Sequence, residues 1–330
     1  MTSNTEMGVI GLGTIGGNLS KQAVKNGIRI VGKKHSRDKP ELREKGVELV
    51  EEYDAFVNEL AQPRVIYVSV PAGDIVDAVP DELGPRLDDG DVVMDGGNSF
   101  FRDSIRRAAE LDGQGIHFLD CGTSGGSEGA RHGACFMVGG DKEGVEIAEP
   151  ILEELSVDGG YVHTGASGSG HFVKLVHNGI EFGMLQAIGE GVELLEDSDF
   201  EIELDEVFHN WSNGSVIRGW LVELMEQQLR EQEFKDIPNY VEDTGEVNWL
   251  VQEAIKSETP IPVISQSVME LFKSREGQDN AYRAIALMRH GFGDHPFGSD
   301  ESIAEERRTS RVENRSRMQL EEEVDDGNTR

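Results

Sequence analysis

Cysteine is nearly missing from this chain: Cys121 and Cys135 are the two in 330 residues. Two are too few for a disulfide framework and show no paired metal-ligand spacing, so both are expected as small apolar side chains and no metal is expected. Long apolar runs are missing as well. Nothing approaches the roughly 20 apolar residues of a membrane span, and Met1 to Glu6 carries no basic stretch leading into an apolar segment. A soluble, cytoplasmic protein is expected. Basic residues are outnumbered two to one: 31 Lys and Arg against 63 Asp and Glu leave a net charge of −32. Such a surface repels nucleic acid and anionic lipid headgroups, which argues against polynucleotide and membrane partners.

Acid is what the chain has in excess. Spread along a folded protein, it keeps the surface hydrated in concentrated salt, and a halophile's cytosol is the expected setting. At about 1 M salt the Debye length shrinks to about 3 Å, muting a self-repulsion that is severe in dilute buffer, so dilute buffer is expected to destabilise the fold. The hydrophobic share of 37% is low but above disorder level, and the 40 glycines cluster in short motifs. The length suggests two domains.

The first half alternates short β-branched runs with helical stretches. Val9-Ile10, Ile28 to Val31, Val65 to Val70, Val92 to Met94 and Ile116 to Leu119 are too continuously apolar for half-exposed strands. Helix-length segments such as Ile15 to Lys25 and Arg102 to Leu111 lie between them. This βαβ alternation predicts an α/β Rossmann-type domain, a doubly wound and mostly parallel sheet, over residues 1–164. Phe136 to Val138 and Tyr161 to His163 are expected to extend its edge. From Gly165 onward β-branched clusters become scarce. A long helix from His171 to about Glu196, then amphipathic helices over Val216 to Glu231 and Val263 to Phe272, predict an all-α domain over 165–298. Residues 299–330 are dominated by charge and are expected to form a loosely ordered acidic tail. No internal repeat is found.

Within the first βαβ unit stands Gly11-Leu12-Gly13-Thr14-Ile15-Gly16. Alone this pattern is weak; between a strand and a helix it reads as a dinucleotide site. Gly11 allows the tight turn, Gly13 lets backbone approach a pyrophosphate at the helix N-terminus, and Gly16 lets helix and sheet pack closely. At the end of the second strand, Gly32-Lys33-Lys34-His35-Ser36-Arg37 contains no acid to bind a ribose hydroxyl of NAD, and its cations suit the extra phosphate of NADP. NADP is the expected cofactor, with NAD still open.

In His171 to Phe182, the polar residues Lys174, His177, Asn178 and Glu181 fall at i, i+3, i+4 and i+7. At about 100° per residue they share one helical stripe. Phe172, Leu175, Val176 and Ile180 are expected to turn the other way, into the core. As a set the polar four suit paired acid/base work: a neutral Lys takes an alcohol proton as hydride leaves, and a protonated Glu returns one to carbon. Both roles need pKa values moved toward neutrality, which a partly buried cleft supplies.

Together with Val70-Pro71-Ala72-Gly73, Asp95-Gly96-Gly97-Asn98-Ser99 and Thr123-Ser124-Gly125-Gly126, these segments resemble decarboxylating 6-phosphogluconate dehydrogenase in its shorter form, over about Met7 to His295. The resemblance implies oxidation of the third-carbon hydroxyl of 6-phosphogluconate, loss of carbon dioxide and protonation to ribulose 5-phosphate, a step of the pentose phosphate pathway and of gluconate use. It implies Lys174 as base and Glu181 as the acid at carbon. Asn98, Ser124, Gly125, Gly126, His177 and Asn178 would line the substrate, and Val70, Pro71, Ala72 and Asn98 the nicotinamide. Arg275, Arg289 and His295 would hold the substrate phosphate; Arg289 and His295 would reach a neighbouring subunit's site in a homo-oligomer. Two positions depart from long-form relatives: Phe182 replaces a phosphate-binding Tyr, and Glu242 stands near a phosphate-contacting Lys. The runner-up is a β-hydroxyacid dehydrogenase for a small unphosphorylated acid, a group that usually lacks the counterpart of Glu181. A cofactor-binding sensor without chemistry is opposed by the intact Lys174 and Glu181.

Overall fold

The computed structural model describes residues 5–34, 39–232, 234–238, 240–241 and 244–275. Two units divide the chain, Met1–Phe272 and Lys273–Arg330, and the architecture below is that of the first. Its strands are β1 Glu6–Ile10, β2 Arg29–Lys33, β3 Glu48–Val50, β4 Val65–Val68, β5 Val92–Asp95, β6 His117–Ser124, β7 Ala134–Gly139 and β8 Ser156–Gly165. They form one sheet in the order β3-β2-β1-β4-β5-β6-β7-β8. All neighbours pair in parallel except β6 and β7. The first six strands follow the order of a dinucleotide-binding doubly wound sheet.

The helices are α1 Thr14–Lys25, α2 Pro40–Arg43, α3 Tyr53–Asn58, α4 Asp74–Leu83, α5 Phe101–Asp112, α6 Gly126–His132 and α7 Lys142–Leu155 within the sheet region. After it come α8 Ser169–Glu196, α9 Leu204–Ser212, α10 Trp220–Glu231, α11 Glu246–Lys256 and α12 Pro262–Ser274. The order is thus a Rossmann-like domain followed by a helical one.

Every residue of β4 and β5 is buried, because helices cover both faces of the sheet. Side chains alternate between two cores as the pleat requires. Val65 and Tyr67 join Met7, Val9, Val92 and Met94 on one face, whereas Ile66 and Val68 join Ile10, Val31 and Val93 on the other. Full burial of such side chains contributes about 1.5–3 kcal/mol each. The expected strand over Val65 to Val70 stops at Val68, where the chain leaves the ladder for the turn before α4. β3 escapes sequence pattern because it has three residues, one an exposed Glu48.

The long helix α8 packs two ways. Its first half meets α11 and α12 through Leu175, Val247, Leu250 and Val268, and its second half meets α9 and α10 through Val192, Leu204, Phe208 and Val222. Phe101 stacks edge-on against Phe172 at 5.2 Å, and Arg102 bridges to Glu253 at 2.5 Å. Of the four apolar residues expected inward on the first turns, only Leu175 is buried; Ile180 is 52% exposed and Phe172 38%. Outside the polar stripe, apolar residues occupy several faces of the helix here, so its period alone does not select the packed one. The helix expected from Val216 begins at Trp220, after Gly219 in extended backbone.

Candidate active site

A cleft of about 2030 Å3 opens at the carboxyl ends of β1, β4, β5 and β6, where open α/β sheets bind ligands. The turn after β1 forms one end. Gly11 has φ +90°, and a Cβ there would stand 2.1 Å from the Ser69 carbonyl oxygen. A Cβ on Gly16 would stand 2.1 Å from the Gly11 carbonyl oxygen, whereas one on Gly13 would meet nothing within 4 Å. The first two positions are closed by backbone, and the third faces open space. Gly13, Thr14 and Ile15 line the cleft, and Gly13 has no side chain to cap α1, so the helix's first N–H groups are available to an anion. These residues fit a dinucleotide's pyrophosphate. Leu12, 8% exposed, puts its side chain into the core. Val70, Pro71, Ala72, Gly97 and Asn98 also line the cleft.

At the end of β2, Lys33 Nζ lies 4.2 Å from the centroid of the Tyr53 ring, and Lys34 Nζ pairs with Glu51 Oε1 at 2.5 Å. His35, Ser36 and Arg37 lie outside the described residues.

The opposite wall is α8, and its polar stripe converges as the spacing predicts. Lys174 Nζ donates to Asn178 Oδ1 at 2.7 Å. Asn178 Nδ2 donates in turn to Asn98 Oδ1 at 3.3 Å, joining the helix to the loop after β5. His177 Nδ1 stands 3.4 Å from Lys174 Nζ and 3.9 Å from Glu181 Oε2, so one imidazole touches both. Its Nε2 hydrogen-bonds Ser124 Oγ at 3.1 Å. Ser124, Gly125, Gly126 and Phe182 line the same cleft, and Phe182 also packs against the α11 and α12 cluster. Burial pushes the Lys174 ammonium below the ordinary lysine pKa, against the opposing pull of Glu181, Cys135 and Glu246. A neutral amine beside an imidazole and a carboxylate can move protons at two nearby points.

The loops facing α8 are themselves fixed from below. Asp95, at the end of β5, accepts from the Gly97 N–H at 3.0 Å and from Arg107 at 3.4 Å. Both Asp95 and Arg107 are 1% exposed. The buried Tyr67 hydroxyl hydrogen-bonds Thr123 Oγ1 at 2.8 Å.

Sequence reasoning missed several residues here. Cys121 is buried as expected, but Cys135 is exposed and lines the cleft. It sits opposite Ser124 in the β6–β7 register, and only that pairing, invisible in the local sequence, brings it to Lys174. Glu246 reaches the site from the first turn of α11; the Thr244-Gly245 turn preceding it was the available signal. Arg275 belongs to the second unit, and Arg289, His295 and Glu242 lie outside the described residues. Among the described residues no His, Cys, Asp and Glu cluster suits a metal, and no helix is long and apolar enough to cross a membrane.

Comparison with known proteins gives the same picture twice. Residues 6–165 match the family described as the NAD binding domain of 6-phosphogluconate dehydrogenase, and residues 170–308 match its C-terminal domain. Bacillus subtilis YqeC, provisionally named for the same activity, is 42% identical, covering 88% of this chain and 98% of its own. The NAD+-dependent decarboxylating 6-phosphogluconate dehydrogenase of Haloferax volcanii is 40% identical over 88% of this chain and 97% of its own. An NADP+-dependent enzyme of Bacillus subtilis is 38% identical, covering 82% and 62%. Among solved structures, Plasmodium falciparum 6-phosphogluconate dehydrogenase superposes with TM-score 0.76 at 26% identity, covering 89% of this chain and 66% of that one. A Mycobacterium tuberculosis 3-hydroxyisobutyrate dehydrogenase, 21% identical with TM-score 0.65 and covering 82% and 94%, shares the fold.

Proposed function

The chain belongs to the 6-phosphogluconate dehydrogenase family, and from that premise we propose that it oxidises and decarboxylates 6-phosphogluconate to ribulose 5-phosphate and carbon dioxide. The observation that carries this reading is the joint placement of Lys174, His177, Asn178 and Glu181 against Asn98 and Ser124 in one cleft. Lys174, held toward its neutral form by burial, takes the proton of the third-carbon hydroxyl. A nicotinamide held beside Val70, Pro71, Ala72 and Asn98 would supply the acceptor for the hydride leaving that carbon. Lys174, now protonated, polarises the new ketone, which receives the electron pair as the carboxylate leaves as carbon dioxide. Glu181 then delivers a proton to the former second carbon, which becomes the first carbon of ribulose 5-phosphate. His177, between the two, keeps base and acid in register, and Asn178, Asn98, Ser124, Gly125 and Gly126 hold the sugar acid. The electron sink is the ketone itself, so these steps draw on no metal ligand.

The cofactor we favour is NADP, because Lys33 ends β2 and Lys34 follows it in a segment that carries no acid before Asp38. Relatives of both preferences are similar to this chain. The division of labour follows the sequence: cofactor on residues 1–164, substrate and assembly on 165–298, with 299–330 as an acidic tail in a cytoplasm of high salt. Arg275, Arg289 and His295 would bind the substrate phosphate, the last two across a homo-oligomer interface, in place of the hydroxyl that Phe182 lacks.

The test is nicotinamide absorbance after adding 6-phosphogluconate in molar potassium chloride, with NADP and NAD side by side and carbon dioxide measured. Reduction with stoichiometric carbon dioxide is expected, faster with NADP. A folded protein that reduces neither cofactor would overturn the reading and direct attention to small hydroxyacids.

A further inference from the structure

Three alternating residues of β6 face α8. At one end, the Asp120 carboxylate is fully buried and accepts from two backbone N–H groups of the helix start, Gly168 at 2.6 Å and His171 at 2.8 Å. In the middle, a Cβ on Gly122 would stand 2.5 Å from the Lys174 Cβ. At the far end, Ser124 hydrogen-bonds His177. The strand therefore touches the helix at its first, second and third turns in step. The four residue steps from Asp120 to Ser124 span about 13 Å and the nine steps from Gly168 to His177 about the same, so the two repeats match along this stretch.

At the first turn the helix and strand backbones come close together. A Cβ on Gly139, opposite Asp120 in the β6–β7 register, would stand 2.7 Å from both Asp120 Oδ1 and the Gly170 nitrogen. One on Gly170 would stand 2.3 Å from the Asp120 carbonyl oxygen. A helix leaves its first N–H groups unsatisfied, and Gly168 has no side chain to cap α8. A carboxylate some fifty residues upstream does so instead, with a charge favoured at that end of the dipole. His171 adds a lateral tie, its Nδ1 hydrogen-bonded to Ser104 Oγ of α5 at 2.7 Å.

Packing with α9 to α12 and the contacts Phe101–Phe172 and Ser104–His171 hold α8 against the rest of the unit; the Asp120 carboxylate is what binds the N–H groups at its start. We infer that Asp120 is the positioning residue for Lys174: through the two N–H bonds it sets the axial position and rotation of the first turns, and Gly122 leaves the space into which the lysine then fits. Asp120 is not among the residues that line the cleft. The inference rests on the proposed role of Lys174 as base.

The experiment compares Asp120→Asn, Asp120→Ala, Gly122→Ala and Lys174→Ala in molar potassium chloride, using 6-phosphogluconate with hydrogen or deuterium at the third carbon, and NADPH fluorescence for cofactor affinity. Asparagine keeps one acceptor and turns an N–H toward a donor; alanine removes both acceptors. For Asp120→Asn, kcat is expected to fall roughly 10- to 100-fold, as ångström-scale misplacement of a reacting group does. The deuterium effect on kcat should rise as hydride transfer becomes limiting, with cofactor affinity unchanged. Asp120→Ala should lose more, so that asparagine is a partial rescue. Parental kcat and isotope effect in a folded Asp120→Asn, beside an inactive Lys174→Ala, would overturn the positioning role alone. Parental turnover in Lys174→Ala would overturn the proposed base, and the inference with it. If neither Asp120 variant folds, Gly122→Ala decides: a matching loss of kcat with intact cofactor affinity supports the inference, and parental kcat overturns it.

Discussion

Lys174 Nζ and Asn178 Oδ1 lie 2.7 Å apart on successive turns of α8, and the same Asn178 reaches across the cleft to Asn98. The amine is thus held by its own helix and referred, through one amide, to the loop that follows β5. Replacing it should separate chemistry from cofactor binding. Lys174→Ala is expected to lower the rate of hydride transfer roughly 10²- to 10⁴-fold, the usual worth of a placed general base. NADP affinity should be nearly unchanged, because the glycine turn sits on β1 and α1. Single-turnover absorbance alongside equilibrium titration of the cofactor measures both.

The acid limb of the pH–rate profile should respond to Glu246. The base must be neutral, so activity rises with pH through the pKa of Lys174. Burial lowers that pKa, and the Glu246 carboxylate is one of the charges that raise it. Glu246→Gln removes a raising influence, so the limb is expected to move to lower pH. A limb that stays in place or moves up in kcat profiles of the variant would count against Lys174 as the titrating group.

Cofactor choice should turn on Lys34. Its ammonium is paired with Glu51 at 2.5 Å, and a ribose phosphate would compete for it. Lys34→Asp is expected to lower the ratio of kcat/KM for NADP over NAD roughly 10- to 100-fold, the worth of one charge-assisted hydrogen bond. Glu51→Gln should move the ratio the other way. Steady-state assays with both cofactors on both variants would show it.

The loop bearing Asn98 depends on a buried ion pair. Arg107 donates to Asp77 Oδ1 at 2.7 Å and to Asp95 Oδ2 at 3.4 Å. Arg107→Leu leaves the Asp95 carboxylate buried without that partner and is expected to cost about 3–5 kcal/mol of stability. Urea unfolding at fixed salt measures the loss. Adding Asp95→Asn should recover part of it, since the uncompensated charge is then gone.

The β1–α1–β2 unit was legible because its signals are local: short β-branched runs at Val9-Ile10 and Ile28 to Val31, a glycine turn of fixed spacing and a helix-length segment between them. The stripe of Lys174, His177, Asn178 and Glu181 was legible for the same reason, since helical geometry alone puts those positions side by side. Cys135 and Asp120 were not. Each gains its meaning from a partner across a strand pair or from a helix start some fifty residues away. Ile180 was misplaced because a helix rich in apolar residues on several faces offers no period from which to choose the packed one. Glu246 had only the Thr244-Gly245 turn before it as a local signal; its approach to Lys174 follows from how α11 packs on α8.

All four polar residues of the stripe ride on one uninterrupted helix of 28 residues. The backbone positions of the proposed base and acid therefore stay about two turns apart and move together. Any adaptation to a bound sugar acid must come from the facing loops after β4, β5 and β6. Low salt and heat, which loosen loops before they loosen a packed helix, should accordingly act on how well substrate is gripped and leave the order of the two proton transfers untouched.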